Sequence, residues 1–190
     1  TSEPVDIDDS QITIHADLLS KEQFTGLEES LGNFGEQYVE SMANKNTEAL
    51  QAVSDDVKKV VKDIMEEEWF YSGKFARVDI DHNSVQVDSH SKEPTIEMRA
   101  QYTFNEAHHE LEEEPELYEE AQLLSLNLSY DMDKKAWRIL SVIEADYWEE
   151  FTTTNTVEGS KKLYGPGKEA VAQAKNEALQ EDITYFIESY

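Results

Sequence analysis

The sequence predicts an α+β fold with its helices packed on one face of a curved antiparallel sheet. Two observations carry this. Apolar residues recur at three- and four-residue steps from Leu27 to Trp69, and they alternate at period two from about Phe75 to Glu144. Helices and strands are thus segregated along the chain, as in α+β architectures and unlike alternating βαβ units. At 190 residues, the length suits one domain with small additions.

Residues 1–26 read as an N-terminal extension: a loose acidic lead-in, then a short strand in which Ile12, Ile14, Ala16 and Leu18 alternate with polar residues, broken by Ser20–Gly26. The first helical stripe is Leu27, Leu31, Phe34, Tyr38, Val39 and Met42. Asn44-Lys45-Asn46 interrupts it, and a short turn of helix runs from Thr47 through Val53. Ser54 is a suitable N-cap for the next helix, with Asp55 and Asp56 favouring the helix dipole. Val57, Val60, Val61, Ile64, Met65 and Trp69 form that helix's stripe.

The strands follow. Ala76, Val78 and Ile80 oppose Phe75, Arg77 and Asp79, and a turn at Asp81–Ser84 leads to a return strand with Val85 and Val87. Ile96, Met98, Ala100, Tyr102 and Phe104 make the clearest apolar row. Leu124, Leu126, Leu128 and Tyr130 form a hairpin with Trp137, Ile139, Ser141 and Ile143 across the Asp131–Lys135 loop. The core domain is thus 27–151. Residues 152–167 read as a linker, and 168–190 as an amphipathic C-terminal helix with a stripe from Val171 to Tyr190.

The charge excludes several function classes. With 42 Asp+Glu against 16 Lys+Arg, the net charge is −26. Nucleic-acid binding needs clustered cations to displace phosphate counterions, and anionic membrane surfaces repel such a chain. The lack of cysteine removes thiolate nucleophiles, disulfides and cysteine-based metal sites. No apolar run is long enough to span a bilayer, so the chain is expected not to be membrane-embedded.

The element order resembles the nuclear-transport-factor-2-like cone. The segment Phe34-Gly-Glu-Gln-Tyr-Val-Glu-Ser-Met-Ala-Asn-Lys-Asn-Thr-Glu-Ala-Leu is similar to the opening of such domains, where the first helix ends in a short polar turn. Within that superfamily the chain resembles the C-terminal extracellular domain of the TcaA family of Gram-positive membrane-anchored envelope proteins, over about residues 28–146. The resemblance implies a non-catalytic binding or sensing module on the extracellular face, anchored by sequence outside this chain. Its partner would be a cell-wall component or an envelope protein.

Three groups of residues are candidate sites. Arg77, Arg99 and Arg138 fall on polar faces of strands with Glu97, Asp79 and Glu144. They read either as a ladder of surface ion pairs or as planar donors for a carboxylate or phosphate. Tyr38, Tyr102, Tyr130 and Trp137 fall on apolar faces, where cone folds hold a pocket. No carboxylate or histidine is expected on an apolar strand face, which disfavours acid–base catalysis. A small-ligand binder or acid–base enzyme using the cone pocket remains the alternative, and assembly through residues 168–190 a third.

No metal or cofactor is expected. Asp79-Ile-Asp81-His-Asn83 begins like a calcium loop, but Ser84 stands at the glycine position and His90 at the bidentate acid. His108-His109-Glu110 lies in residues 105–121, a stretch with eight glutamates and no Lys or Arg, and reads as a solvated acidic loop.

Overall fold

The structure is a computed structural model, and it describes residues 18–67, 70, 72–88, 93–107, 117–146 and 150–165. Two helices, α1 (Lys21–Asn44) and α2 (Asp55–Glu67), precede five strands: β1 (Ser72–Asp88), β2 (Thr95–Ala107), β3 (Tyr118–Asp131), β4 (Ala136–Glu144) and β5 (Asn155–Glu158). The strands form one antiparallel sheet in the order β4-β3-β2-β1-β5, with the helices on its inner face. The predicted N-terminal strand, apart from Leu18, and the predicted C-terminal helix lie outside the described residues, as do His108, His109 and most of the acidic stretch.

α1 begins six residues before the predicted start. Ser20, expected to break structure, caps the helix instead: its hydroxyl accepts from the Gln23 N–H, and the Gln23 side chain accepts from the Ser20 N–H. This reciprocal pair satisfies two backbone donors that a helix start leaves open. The helix ends at Lys45 in a left-handed conformation (φ 60°), at the predicted polar turn. Residues 47–53 do not form the expected helical turn. They run as a turn that places Val53 against Ile139 of β4, where the Ile139 N–H donates to Ala52 and the Ser54 N–H donates to Ile139. Ser54 caps α2 through the Val57 N–H, as its sequence position indicates.

β1 corrects the strand reading twice. A bulge lies between Phe75 and Arg77, so Phe75 pairs with Phe104 and faces inward while Arg77 stays outward opposite Thr103. A second irregularity replaces the expected turn at Asp81–Ser84. Asp81 pairs with Arg99 and Gln86 with Glu97, so four β1 residues lie opposite Met98. What read as two strands is one long strand, bent at these points as bulges bend a sheet. Residues 152–167, read as a linker, supply β5, which pairs with β1 from Arg77↔Glu158 to Ile80↔Asn155.

The core lies between α1 and the sheet. Leu27, Leu31, Phe34, Val39 and Met42 meet Val78, Ile80, Ala100, Tyr102, Leu126 and Leu128. Close approach of α1 to β1 requires Gly35, since a Cβ there would stand 2.5 Å from the Phe75 ring. Two buried aromatics tie the sheet to the helix backbone. The Tyr102 hydroxyl donates to the Leu31 carbonyl at 2.7 Å, and the Trp137 indole Nε1–H donates to the Gln23 carbonyl at 2.8 Å.

Tyr102→Phe should cost about 1 kcal/mol at neutral pH, since the fold loses one buried hydrogen bond. Burial raises the Tyr102 phenol well above its ordinary value. The raised value favours the protonated fold below the unfolded phenol value of about 10. This contribution is lost as pH climbs above that point, where only the unfolded chain ionises. Urea unfolding from pH 8 to 11 should therefore show a shallower alkaline loss in the variant than in the wild type. Gly35→Val should cost more than about 2 kcal/mol in the same assay, because Phe75 would have to leave its place.

Candidate functional site

Between α2 and the β2–β4 side of the sheet lies an open cavity of about 380 Å³. α1 contributes Phe34 and Tyr38, α2 contributes Val60, Val61, Ile64 and Glu67, and the sheet contributes Phe104, Gln122, Leu124, Val142 and Glu144. Three rings adjoin along one wall: the Tyr38 centroid lies 6.4 Å from Phe34 and 5.2 Å from Phe104. The polar groups are two glutamates and one amide, together with the Tyr38 hydroxyl, and none of the lining residues is a cation. Val60, Glu67 and Glu144 are exposed, so the cavity meets solvent on the α2 and β4 sides.

Glu144 belongs to this cavity for a reason alternation alone does not show. In strict period two it shares the outer face with Arg138. In the structure Leu128 pairs with Ile139 but Asn127 pairs with Ser141, which leaves Leu140 as an extra residue in β4. Beyond it the phase reverses. Val142 and Glu144 face inward opposite Leu126 and Leu124, and Ile143 turns outward opposite Ser125, 62 % exposed. The apolar pair Leu140 and Val142 in the nominally polar row was the available signal.

Of the four aromatic candidates, only Tyr38 lines the cavity. Tyr102 packs between Phe34, Phe75 and Phe104, and Tyr130 stands edge-on to Trp137 at 5.1 Å, all in the core. Their role in this structure is packing.

The arginines share the outer face but not one patch. Arg77 faces Thr103, whereas Arg138 faces Ser129, itself opposite Thr95. Each is four residues along β2 from the Arg99 position, roughly 13 Å at strand rise. Arg138 is exposed, and Arg77 lies 3.5 Å from Asp79 and 3.9 Å from Glu119. Exposed pairs of this kind contribute little.

Arg99 is different. It lies 3.6 Å from the buried Asp81 carboxylate and donates to the Glu150 carbonyl at 2.5 Å. Asp81 also accepts from the Asn83 and Thr152 N–H groups. Arg99 thus joins β2, the β1 irregularity and the segment leading into β5. Glu97 and Arg99 share a polar groove with Asn83, Ser84 and Asp146.

Sequence reasoning missed His82. It falls within the Asp81–Ser84 stretch that reads as a turn, yet it is fully buried, its ring edge-on to Phe24 at 6.3 Å. Its Nε2 lies 3.5 Å from Glu28 on α1, and Glu28 accepts from the Asn155 amide of β5 at 2.6 Å. A histidine does therefore sit inside the fold, contrary to expectation, but it is not among the residues lining the cavity. Among the described residues, no group of three or more metal-ligating side chains converges, and no helix is long and apolar enough to cross a membrane.

An antiparallel sheet wrapped against two helices, with an apolar cavity between them, defines a nuclear-transport-factor-2-like domain. The family model of the YvbJ NTF2-like domain matches residues 27–143, and the chain belongs to that family. No curated protein and no solved structure matches it significantly.

The two arginine environments separate in a stability experiment. Arg99→Met should cost about 2–3 kcal/mol, because the buried Asp81 carboxylate loses its counter-charge. Arg138→Met should change stability by less than about 0.5 kcal/mol, as exposed substitutions do. Chemical denaturation of the two variants side by side checks both values.

Proposed function

We propose that this chain is the non-catalytic binding or sensing module of a membrane-anchored Gram-positive cell-envelope protein. It works on the extracellular face and takes part of a cell-wall component or envelope partner into the cavity between α2 and the sheet. The observation that carries the reading is the cavity itself: hydrocarbon and aromatic walls with a few polar groups, the usual make-up of a small-ligand site. Family membership supports a binding role, and the resemblance of about residues 28–146 to the TcaA family supports the envelope location. The charge of −26 supports a solvated domain without affinity for nucleic acid or anionic lipid.

The lining supports a non-catalytic role. Its titratable side chains are Glu67, Glu144 and Tyr38, two of them exposed carboxylates. The buried His82 is directed to Glu28 and Phe24 and does not line the cavity. The lining therefore offers no histidine to pair a nucleophile or to relay a proton at neutral pH.

The test is methyl NMR of the purified chain titrated with a neutral alkyl glycoside and with soluble cell-wall fragments. The Val60, Val61, Ile64, Leu124 and Val142 methyls should shift in a saturable way, and the probes should be recovered unchanged. Val142→Phe should narrow the cavity and weaken the saturable shifts of the remaining lining methyls while leaving the rest of the spectrum intact. Chemical conversion of a probe would replace the binding reading with an enzymatic one.

A further inference from the structure

We propose that this cavity selects ligands bearing an ammonium group on an apolar body, either a protonated amine or a quaternary ammonium. The inference rests on the reading of the cavity as a binding site and adds the chemistry of what it takes. Three observations converge on it. First, Phe34, Tyr38 and Phe104 form a contiguous aromatic wall, with centroids 6.4 and 5.2 Å apart about Tyr38. The negative face of an aromatic ring attracts a cation, and several rings in one cavity are the usual means of holding an alkylammonium.

Second, Glu67 from α2 and Glu144 from β4 line the same space, and none of its lining residues is cationic. A bound ammonium would therefore meet aromatic side chains and two carboxylates at the mouth of one partly enclosed volume. Third, the polar contribution is one-sided. An anionic head group would find only Gln122 and the Tyr38 hydroxyl as donors and would face two carboxylates on a chain of charge −26. A neutral head group would gain no charge attraction. The arrangement therefore discriminates by repelling anions as well as by attracting cations.

The remaining wall is hydrocarbon: Val60, Val61 and Ile64 from the helix, Leu124 and Val142 from the sheet. These side chains suit an alkyl or aliphatic body. The two glutamates are exposed, so replacing them should leave the fold intact.

The experiment compares three probes with one tail: decyltrimethylammonium, decyl maltoside and decyl sulfate, each below its micelle concentration. Calorimetry gives affinities, and methyl NMR locates the bound tail. The ammonium should bind about tenfold more tightly than the maltoside, and the sulfate more weakly than either. In the double variant E67Q/E144Q the ammonium advantage should fall to about threefold, the part that the aromatic wall supplies, and an unchanged advantage would overturn the role of the glutamates. The double variant E48Q/E158Q changes the net charge equally at exposed positions outside the cavity, and it should keep the advantage.

Equal affinity for ammonium and maltoside would overturn the selectivity while leaving the cavity as a binding site. Loss of the advantage in E48Q/E158Q would assign it to overall charge and overturn the proposal likewise. If no probe shifts the cavity methyls, the underlying site reading fails as well. Should the double cavity variant unfold, the single variants E67Q and E144Q carry the same comparison.

Discussion

The seating of α1 on the sheet is the constraint on which the rest depends. A 24-residue helix lies across strands that come from three parts of the chain, and it is held at four levels. Ser20 fixes its start, Trp137 donates to the Gln23 carbonyl, Tyr102 donates to the Leu31 carbonyl, and Gly35 admits the Phe75 ring. Backbone carbonyls inside a helix already accept one bond and have a second lone pair to offer. Both aromatic donors use this capacity, so their own buried polar groups are satisfied. The same seating brings Tyr38 onto Phe104 and beside Phe34, and one wall of the cavity thus follows directly from the packing of the core.

Irregularities in the strands decide what faces where. The bulge after Phe75 turns that ring inward while leaving Arg77 outside. The extra residue at Leu140 turns Glu144 inward and Ile143 outward. Between Asp81 and Gln86 the strand departs from its register, and the departure is held by Arg99 on Asp81 and by the His82 N–H on Thr154. Each irregularity moves a chemically significant residue across the sheet. In a two-residue repeat, one inserted residue reverses every later side chain.

This explains what was legible in the sequence. The stripe from Leu27 to Met42 and the alternation from Ile96 to Phe104 are uninterrupted, and both elements formed as their periods indicate. The polar turn at Lys45 and the cap at Ser54 depend on local chemistry and were equally readable. What was not readable depends on partners far along the chain. His82 reads as a turn residue because Asp, His, Asn and Ser are good turn formers, and only the pairing of Asp81 with Arg99 and the His82 N–H bond to the Thr154 hydroxyl carry the strand through it. Residues 155–158 carry a weak alternation and become a strand because β1 offers an open edge. The cavity was anticipated as a place but not as a set of residues. Tyr38 was among those named, while Glu67 and Glu144 emerge only when α2 and the reversed end of β4 meet.

β5 has one more effect, on how copies of the chain meet each other. Without it, the longest strand of the sheet would present a row of open N–H and C=O groups, a template for another chain's strand. β5 covers the middle of β1, from Arg77 to Ile80, with a strand only four residues long. At the opposite margin, Ala52 and Ser54 occupy the Ile139 N–H and C=O of β4. Strand-to-strand aggregation is thus blunted at both margins by short pieces of backbone. Among the described residues, this protection of the sheet margins comes from backbone pairing and acts independently of the negative charge.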